Sequence, residues 1–289
     1  AEVLNGEGWL PLEPLEGTTL INAKTDPAGL APGLYQATIT VQTNAVNSPH
    51  VVPVNLTVEA QQGPIAGFQG VVSNATFEGG VEVAQGDIVA VFGRQLSYQP
   101  GQEGSEVPLV REMGGSKVFV NGVESPLFFT SYNQINFQIP NETQAGVALV
   151  QVVRGGQAGN NVSVRVAERA PRLLRLPIGN YGIIVNQDGT FPIPATPGYP
   201  SRPAKAGDWL TIYGIGFGPT NPAVGTGDPA PGAEPLARWQ PTPKVYFGGG
   251  FGRVGMDPFY VGMTPFSVGL FQINVQVPGN TQKGNNILL

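Results

Sequence analysis

The sequence predicts an all-β fold made of three β-sandwiches in tandem. Of the 289 residues, 41 are Gly and 28 are Pro, yet 41% are hydrophobic, a mixture typical of short strands joined by tight turns. Apolar residues alternate with the period of a strand, and no window of about 12 residues shows helical spacing free of Gly or Pro. The chain also repeats itself, which predicts that two of the sandwiches are divergent copies of one unit.

Seven segments carry the strand pattern most clearly, because β-branched or aromatic residues alternate in them between turn residues. They are GLYQATITVQT (33–43), HVVPVNLTV (50–58), DIVAVFG (87–93), SKVFVNG (116–122), NQINFQIP (133–140), VALVQVV (147–153) and NVSVRVA (161–167). Short strands at this spacing are typical of sandwiches and barrels.

Three blocks occur twice in the same order, and we call the two sets copy 1 and copy 2. AQGDIVAVFGRQLS (84–97) matches KAGDWLTIYGIGFG (205–218), PLVR (108–111) matches PLAR (235–238), and NQINFQIPNETQAG (133–146) matches FQINVQVPGNTQKG (271–284). In each copy we expect the Gly-Asp pair to form the turn that enters a strand. Its glycine takes a positive φ, and its Asp side chain bonds the turn backbone.

These repeated motifs resemble the IPT/TIG class of immunoglobulin-like domains. They resemble more closely a tandem repeat domain at the C-terminus of large acidobacterial secreted proteins, a pattern that VNQDGT (185–190) and GFGPTNPAVGTGDPAP (216–231) also fit. Residues 9–59, with GWLPLEPLEGTT and VVPVNLTV, are similar to the BACON-like sandwich domains that often precede it. The resemblance implies secreted surface modules without catalytic residues, so we do not expect an enzyme.

We therefore expect a partial BACON-like, immunoglobulin-type sandwich at 1–60, copy 1 as an IPT/TIG-like sandwich at 61–168, and copy 2 at 169–289. Because Gly146 matches Gly284, we expect copy 2 to lack a counterpart of the last strand, NVSVRVA. An unfinished sandwich exposes unpaired backbone groups that another chain can pair. The predicted subunit contacts are the chain ends, Ala1, Glu2, Val3, Leu4, Ile287, Leu288 and Leu289. The alternative is that the sequence was cut from a longer chain.

The motif GFGRVG (250–255) has the glycine spacing of a dinucleotide-binding loop and follows an apolar run, KVYF (244–247). Such a loop must open a helix whose N-terminus holds the pyrophosphate. Here Met256, Asp257 and Pro258 follow, and then another strand. The motif therefore predicts a hairpin turn, and we expect no cofactor.

Composition argues against several other classes of function. The 15 Lys and Arg are scattered and the net charge is −5, so we expect no nucleic-acid partner. No apolar run approaches 18 residues, so we expect no membrane insertion. With no Cys and a single His, His50, neither a thiolate site, a histidine zinc site nor a Ser/His/Asp triad is expected.

Two kinds of polar site stay open. Asn186 and Asp188 are weak calcium candidates, although a plain turn is the favoured interpretation of NQDGT (186–190). Glycosylation sequons occur at Asn55, Asn74, Asn141 and Asn161, and chance is the favoured explanation for them.

Aromatic residues offer two further sites. Trp9, Trp209 and Trp239 are candidates for a carbohydrate platform. The repeated strand after the Gly-Asp pair is apolar on both faces in both copies. One of these faces carries Phe92 in copy 1 and Trp209 and Tyr213 in copy 2, which favours an interdomain or intersubunit contact.

From these observations we expect a secreted or cell-surface structural protein, the subunit of an extracellular filament or adhesive stalk. Its partner would be a second copy of itself, joined head to tail by strand exchange. The alternative is a carbohydrate-binding surface module of a larger secreted protein, with surface glycans as partners.

Overall fold

The computed structural model describes residues 2–5, 8–13, 22–27, 30–58, 63–248 and 253–281. Every regular element in this part of the chain is a β-strand, which confirms the predicted all-β class. None of the described residues belongs to a helix that could cross a bilayer. The chain divides into two compact units, Ala1–Gln62 and Gly63–Leu289.

The first unit is built around one long hairpin. Its strands are β1 (Glu2–Val3), β2 (Leu12–Glu13), β3 (Asn22–Ala23), β4 (Gly33–Val41) and β5 (His50–Val58). β4 pairs with β5 along its whole length, β1 takes the other edge of β4, and β2 pairs with β3. Trp9, Leu10, Ala37 and Ile39 are buried together and form the core of this unit.

Copy 1 forms two five-stranded sheets within the second unit. Its strands are β6 (Ile65–Ser73), β7 (Val83–Ala84), β8 (Ile88–Arg94), β9 (Gln102–Glu103), β10 (Ser116–Val120), β11 (Val123–Glu124), β12 (Leu127–Thr130), β13 (Gln134–Gln138), β14 (Gly146–Arg154) and β15 (Gln157–Ala167). One sheet has the order β11-β10-β14-β15-β7 and the other β6-β8-β13-β12-β9. All seven predicted strand segments contain a strand, namely β4, β5, β8, β10, β13, β14 and β15.

The core of copy 1 lies between its two sheets. Alternate residues of a strand point to the same face, and the inward set is apolar. Val89 and Val91 on β8, Phe137 on β13 and Val150 on β14 are all completely buried. Burying side chains of this size contributes about 1.5–3 kcal/mol each, so the facing sheets form a β-sandwich with its own core.

The strand pattern did not predict β6, because two glycines interrupt its apolar alternation. The pairing of β6 with β8 shifts register between Ala66 and Val71, and Gln69 there has φ of 51°. A bulge of this kind inserts extra residues into one strand and bends it. A Cβ at Gly70 would lie 2.6 Å from the backbone oxygen of Phe92, so the bulge requires glycine at that point.

Copy 2 repeats the second of these sheets. Its strands are β16 (Arg172–Leu173), β17 (Ile184–Asn186), β18 (Trp209–Ile215), β19 (Val245–Phe247), β20 (Val254–Met256), β21 (Tyr260–Met263) and β22 (Phe271–Gln276). The larger sheet has the order β16-β18-β22-β21, with β17 also paired to β18. A separate core of buried residues includes Leu210, Ile212, Phe271, Ile273 and Val275. The division of the whole chain into three domains stays a prediction.

The glycine-rich motif of copy 2 lies in a hairpin, as predicted. β19 and β20 pair antiparallel, with Val245 opposite Met256 and Phe247 opposite Val254. Gly250, Phe251 and Gly252 lie outside the described residues. The motif follows β19 and its last two residues, Val254 and Gly255, belong to β20, which is incompatible with the helix that a dinucleotide site needs.

Candidate functional site: the junction between the two copies

The Gly-Asp motif forms the same turn in both copies, as predicted. Gly86 and Gly207 have φ of 69° and 87°, a region that glycine enters without steric cost. The Oδ2 atom of Asp87 accepts a hydrogen bond from the Ala84 amide at 3.3 Å. The Oδ2 atom of Asp208 accepts the equivalent bond from Lys205 at 2.8 Å. Each Asp is therefore fixed by the turn that it closes.

The third repeated block contains the motif QIN-x-Q-x-P, at 134–140 in copy 1 and 272–278 in copy 2. In each copy, two amide side chains of this motif bond each other along one strand. Gln134 donates from Nε2 to Asn136 Oδ1 at 2.8 Å, and Gln272 donates to Asn274 Oδ1 at 2.9 Å. Because these residues are two positions apart on one strand, each pair lies on a single face. The motif thus places a short row of amides on the outer face of β13 and of β22.

The second Gln of the motif ties its strand to the Gly-Asp turn. Gln138 donates from Nε2 to the Gly86 backbone oxygen at 3.3 Å, and Gln276 donates to that of Gly207 at 2.9 Å. We use the name turn end for the Gly-Asp turn together with this strand end. It comprises residues 86–88 and 138–142 in copy 1, and residues 207–209 and 276–280 in copy 2.

A loop of copy 2 packs on the turn end of copy 1. Gly227 donates its backbone N–H to Gln138 Oε1 at 2.7 Å, and its backbone oxygen accepts from the Leu109 amide at 2.9 Å. The backbone N–H of Asn141 donates to Thr226 Oγ1 at 2.9 Å, and the Thr226 hydroxyl donates to Glu142 Oε2 at 2.5 Å. These bonds join the copies through both backbone and side-chain groups, and we call this contact the junction.

Two glycines allow the backbones to approach closely at the junction. A Cβ at Gly216 would lie 2.5 Å from the Ala170 oxygen and 3.2 Å from Asp87 Oδ2. A Cβ at Gly269 would lie 3.0 Å from Cγ1 of Ile88. A larger residue at Gly269 would press on copy 1, and one at Gly216 would press on Ala170 within copy 2 as well as on Asp87 of copy 1, because packed interiors leave little free space.

The junction buries the carboxyl group of Asp87. The residue is completely buried, and its Oδ1 has no hydrogen-bond partner among the described residues. Burial raises the pKa of Asp87 to about 7, although the Ala84 amide and the Arg172 charge both oppose the shift. Loss of water disfavours the charged form of a carboxyl group. Asp87 therefore titrates near neutral pH within the interface between the copies.

Asp208, the counterpart of Asp87, has the opposite environment. Arg202 donates from Nη1 to Asp208 Oδ2 at 2.6 Å and from Nε to Asp188 Oδ2 at 2.5 Å. The hydrogen bonds from Arg202 lower the pKa of Asp208, and the Thr190 hydroxyl and Arg202 lower that of Asp188. One guanidinium group thus serves two carboxylates.

This pairing bears on the weak calcium candidates. Arg202, a fixed positive charge, neutralises Asp188 where a cation would have to bind. The Asn186 side chain is buried and donates from Nδ2 to Thr190 Oγ1 and to the Arg202 backbone oxygen. The geometry gives both residues a role in holding a turn, which was the favoured interpretation of this segment.

The aromatic residues predicted to form an interdomain or intersubunit contact are partly exposed. Each lies beside a second aromatic ring or a glutamine side chain. Phe92 packs on Phe77 with ring centroids 6.3 Å apart, and Trp209 packs edge-on against Phe259 at 5.8 Å. Tyr213 is half-buried opposite Gln272. Rings from the same copy thus cover part of this face, and its predicted role in interdomain or intersubunit contact stays a prediction.

The other two tryptophans of the carbohydrate prediction are not exposed platforms. Trp9 is 1% exposed and packs against Tyr35. Trp239 is half-buried, donates from Nε1 to the Phe217 oxygen at 2.7 Å, and contacts the Phe217 ring. Neither ring has a free face for a sugar, since both are used in packing. Trp209 is the one of the three that a ligand could reach.

The predicted subunit-contact residues are only partly described. Glu2 and Val3 pair with Thr38 and Ala37 of β4, and the Leu4 amide donates to the Gln36 oxygen at 2.9 Å. This segment therefore completes the sheet of its own unit. Ala1, Ile287, Leu288 and Leu289 lie outside the described residues, and donation of either end to another subunit stays a prediction.

His50 and the sequons occupy ordinary surface or junction positions. His50 is exposed at the first position of β5. Asn55 and Asn161 are exposed, whereas Asn74 and Asn141 are partly buried. Asn141 donates from Nδ2 to the Val224 oxygen at 2.8 Å, so its side chain belongs to the junction.

Comparison with known proteins does not identify a family. No protein-family model matches the chain, and no curated protein matches it. A putative DNA-binding protein from Bacteroides vulgatus ATCC 8482 aligns at 10% identity over 48% of this chain and 70% of its own, with a TM-score of 0.23. Domains A168–A170 of titin align at 11% identity over 96% of this chain and 76% of their own, with a TM-score of 0.21. Scores this low carry no functional argument.

Proposed function

We propose that this chain is a secreted or cell-surface structural protein, the subunit of an extracellular filament or adhesive stalk. The observation that carries the proposal is the junction, where a loop of copy 2 packs on the turn end of copy 1, which has the same repeat motifs. Arrays of repeated modules that contact mainly their neighbours grow in one direction. A molecule that already joins two copies in this way is suited to building a rod.

Strand exchange is the proposed means of joining subunits, and the edge of β19 supports it. In copy 1 the corresponding strand, β10, pairs with β11 on one side and β14 on the other. Within the described part of copy 2, β19 pairs with β20 alone. A strand with an edge that pairs with no other described residue can accept a strand from a neighbouring chain through backbone hydrogen bonds.

Electron microscopy of the purified protein tests the filament proposal directly. We expect long regular fibres whose axial repeat matches the length of one chain. A head-to-tail contact that does not close on itself gives an open polymer, whereas a closed contact gives a ring or dimer. Isolated particles at every concentration would contradict the proposal.

A competing peptide tests the strand-exchange step separately. A synthetic peptide with the β14 sequence GVALVQVVR (146–154) should compete for the edge of β19 and shorten the fibres. A peptide of the same composition in scrambled order is the control. If fibres form and neither peptide alters them, the subunits are joined by another contact.

The alternative function is carbohydrate binding, which one surface favours. Trp209 is 39% and Phe259 is 78% exposed, and the amides of Gln272 and Asn274 lie on the same sheet face. Aromatic rings flanked by amides can stack on and hydrogen-bond a sugar. Binding on a glycan array that is lost in Trp209→Ala and kept in Phe68→Ala would favour this function, since Phe68 is 92% exposed in copy 1.

A further inference from the structure

The turn ends of the two copies share their internal structure but differ in what covers them. Beyond the matching Gly-Asp and Gln bonds, Ile139 donates to the Asp87 backbone oxygen and Val277 to that of Asp208, both at 2.9 Å. In copy 1, Gln138 is 1% exposed because the loop of copy 2 lies on it. In copy 2, the corresponding Gln276 is exposed. The second turn end is therefore a repeat of a surface that already binds a sandwich.

The groups that make the junction in copy 1 are also present on copy 2. The bond from Gln276 to the Gly207 oxygen uses Nε2, which leaves Oε1 in the place where Gln138 accepts from Gly227. The Gly279 amide takes the place of the Asn141 amide that bonds Thr226. Two side chains differ, since Gly279 and Asn280 replace Asn141 and Glu142, so only the backbone part of those contacts carries over.

An exposed aromatic pair adds an apolar part to this surface. Trp209, the counterpart of Ile88, lies directly opposite Gln276 in the pairing of β18 with β22. Ile88 is the residue that copy 2 contacts through Gly269. Trp209 and its neighbour Phe259 extend this position with two rings, and large aromatic residues are the commonest anchors of protein interfaces.

We propose that the turn end of copy 2 binds copy 1 of a second chain, through a contact related to the junction. The segment that would bind is residues 98–107, which includes β9 and lies between the repeated strand and the PLVR block. The loop of copy 2 that makes the junction, residues 219–234, lies at the corresponding place before PLAR. This inference rests on the proposed function, because the same contact repeated from chain to chain builds an open polymer.

Charge and exposure favour a second copy as the occupant. The segment 98–107 exposes Glu103, Glu106 and the apolar Val107. Lys205, which is exposed, lies two residues before the turn end of copy 2. Opposite charges at the rim of a contact steer the partners and fix their register, while apolar groups supply much of the affinity.

Sedimentation velocity over a wide range of protein concentration tests the contact. We expect concentration-dependent association that is weakened about tenfold or more in Trp209→Ser, because buried aromatic anchors dominate such interfaces. Phe259→Ser is a second variant at an exposed position, and it should act in the same direction. Phe68→Ser is the matched control, since this exposed aromatic lies on copy 1 away from the turn end.

Hydrogen exchange locates the contact without a mutation. On association, amides of residues 207–209 and 276–280 should become protected in parallel with those of 98–107. A chain that stays monomeric, or association that Trp209→Ser and Phe259→Ser leave unchanged, overturns the inference. Binding of a glycan rather than of a second chain at Trp209 also overturns it.

The outcomes also separate this inference from the filament proposal. Fibres that form normally in both variants would remove this surface as the contact and leave the filament proposal standing. A closed dimer joined through this turn end would support the inference and contradict the filament.

Discussion

The two Gly-Asp turns have the same backbone, but their carboxyl groups have opposite electrostatic environments. Asp87 is completely buried under copy 2, and burial raises its pKa to about 7. Asp208 is paired with Arg202, whose hydrogen bond lowers its pKa. The local sequence thus determines the backbone of the turn, whereas the groups packed against its Asp determine whether the carboxyl group is charged.

The difference also shows how a repeat becomes a two-module unit. The turn end of copy 1 gives up hydration of its carboxyl group and gains the bonds of Gln138, Asn141 and Glu142 to copy 2. The turn end of copy 2 keeps its Asp charged through the hydrogen bond from Arg202. One surface has been specialised for a permanent contact, while the other retains the same backbone and remains open to solvent.

The largest expected effect is the pH dependence that Asp87 imposes on stability. Its folded pKa of about 7 exceeds the ordinary 3.8, so between these values the folded chain binds a proton that the unfolded chain has released. The contribution of Asp87 to the free energy of unfolding should therefore fall by about 4 kcal/mol as the pH rises from 4 to 8. Asp87→Asn should remove this decline.

Denaturant unfolding of the parent and Asp87→Asn across that pH range measures the effect as the difference between two curves. Other carboxyl groups contribute equally to both proteins and cancel in the difference. The variant should be the more stable protein above pH 7 and should lose that advantage in acid. Parallel curves would mean that the folded state does not raise the pKa of Asp87.

The second effect concerns the close packing around Gly216, where copy 2 meets Asp87 of copy 1. Gly216→Ala should destabilise the second unit by about 2–4 kcal/mol, because the new Cβ meets the Ala170 oxygen within copy 2 and the Asp87 carboxyl group of copy 1, and the residue has a positive φ. Gly189→Ala is the matched control, since Gly189 has φ of 84° with no atom within 4 Å of an added Cβ. It should cost about 1 kcal/mol from backbone strain alone. Equal losses in denaturant unfolding would show that the close approach is unimportant.

The third effect compares the two copies of one residue. Gln138→Ala should cost about 1–3 kcal/mol, because it leaves the Gly227 N–H and the Gly86 oxygen without their partner in a buried place. Gln276→Ala removes an exposed side chain from the same position of the repeat and should change the stability of dilute protein by less than about 0.5 kcal/mol. Thermal unfolding of both variants measures the contrast. A similar loss in each would mean that the junction adds nothing to the turn.

The sequence predicted the local features well and the contacts between the copies poorly. The strands, the Gly-Asp turns and the hairpin of the glycine-rich motif depend on residues that are near each other in the chain, where alternation and turn chemistry are visible. The bulge in β6 was missed because Gly67 and Gly70 look like turn residues. The bonds of Thr226 and Gly227 to copy 1 join residues more than 80 positions apart, and no local pattern records such a pair.

The smallest expected effect concerns the turn of copy 2, where Arg202 pairs with Asp188 and Asp208. Arg202→Gln should return the pKa values of Asp188 and Asp208 toward their ordinary range, because it removes the guanidinium group that holds both carboxylates charged. A lowered folded pKa stabilises the protein above the ordinary value, and this stabilisation is lost as the pH falls through the folded pKa. The pH dependence is therefore opposite in sign to that of Asp87. Titration followed by NMR of the Asp carboxyl carbons should show that both pKa values rise in Arg202→Gln. Arg175→Gln is the control, because Arg175 donates its hydrogen bond to Asn180 rather than to a carboxylate. It should leave both pKa values unchanged.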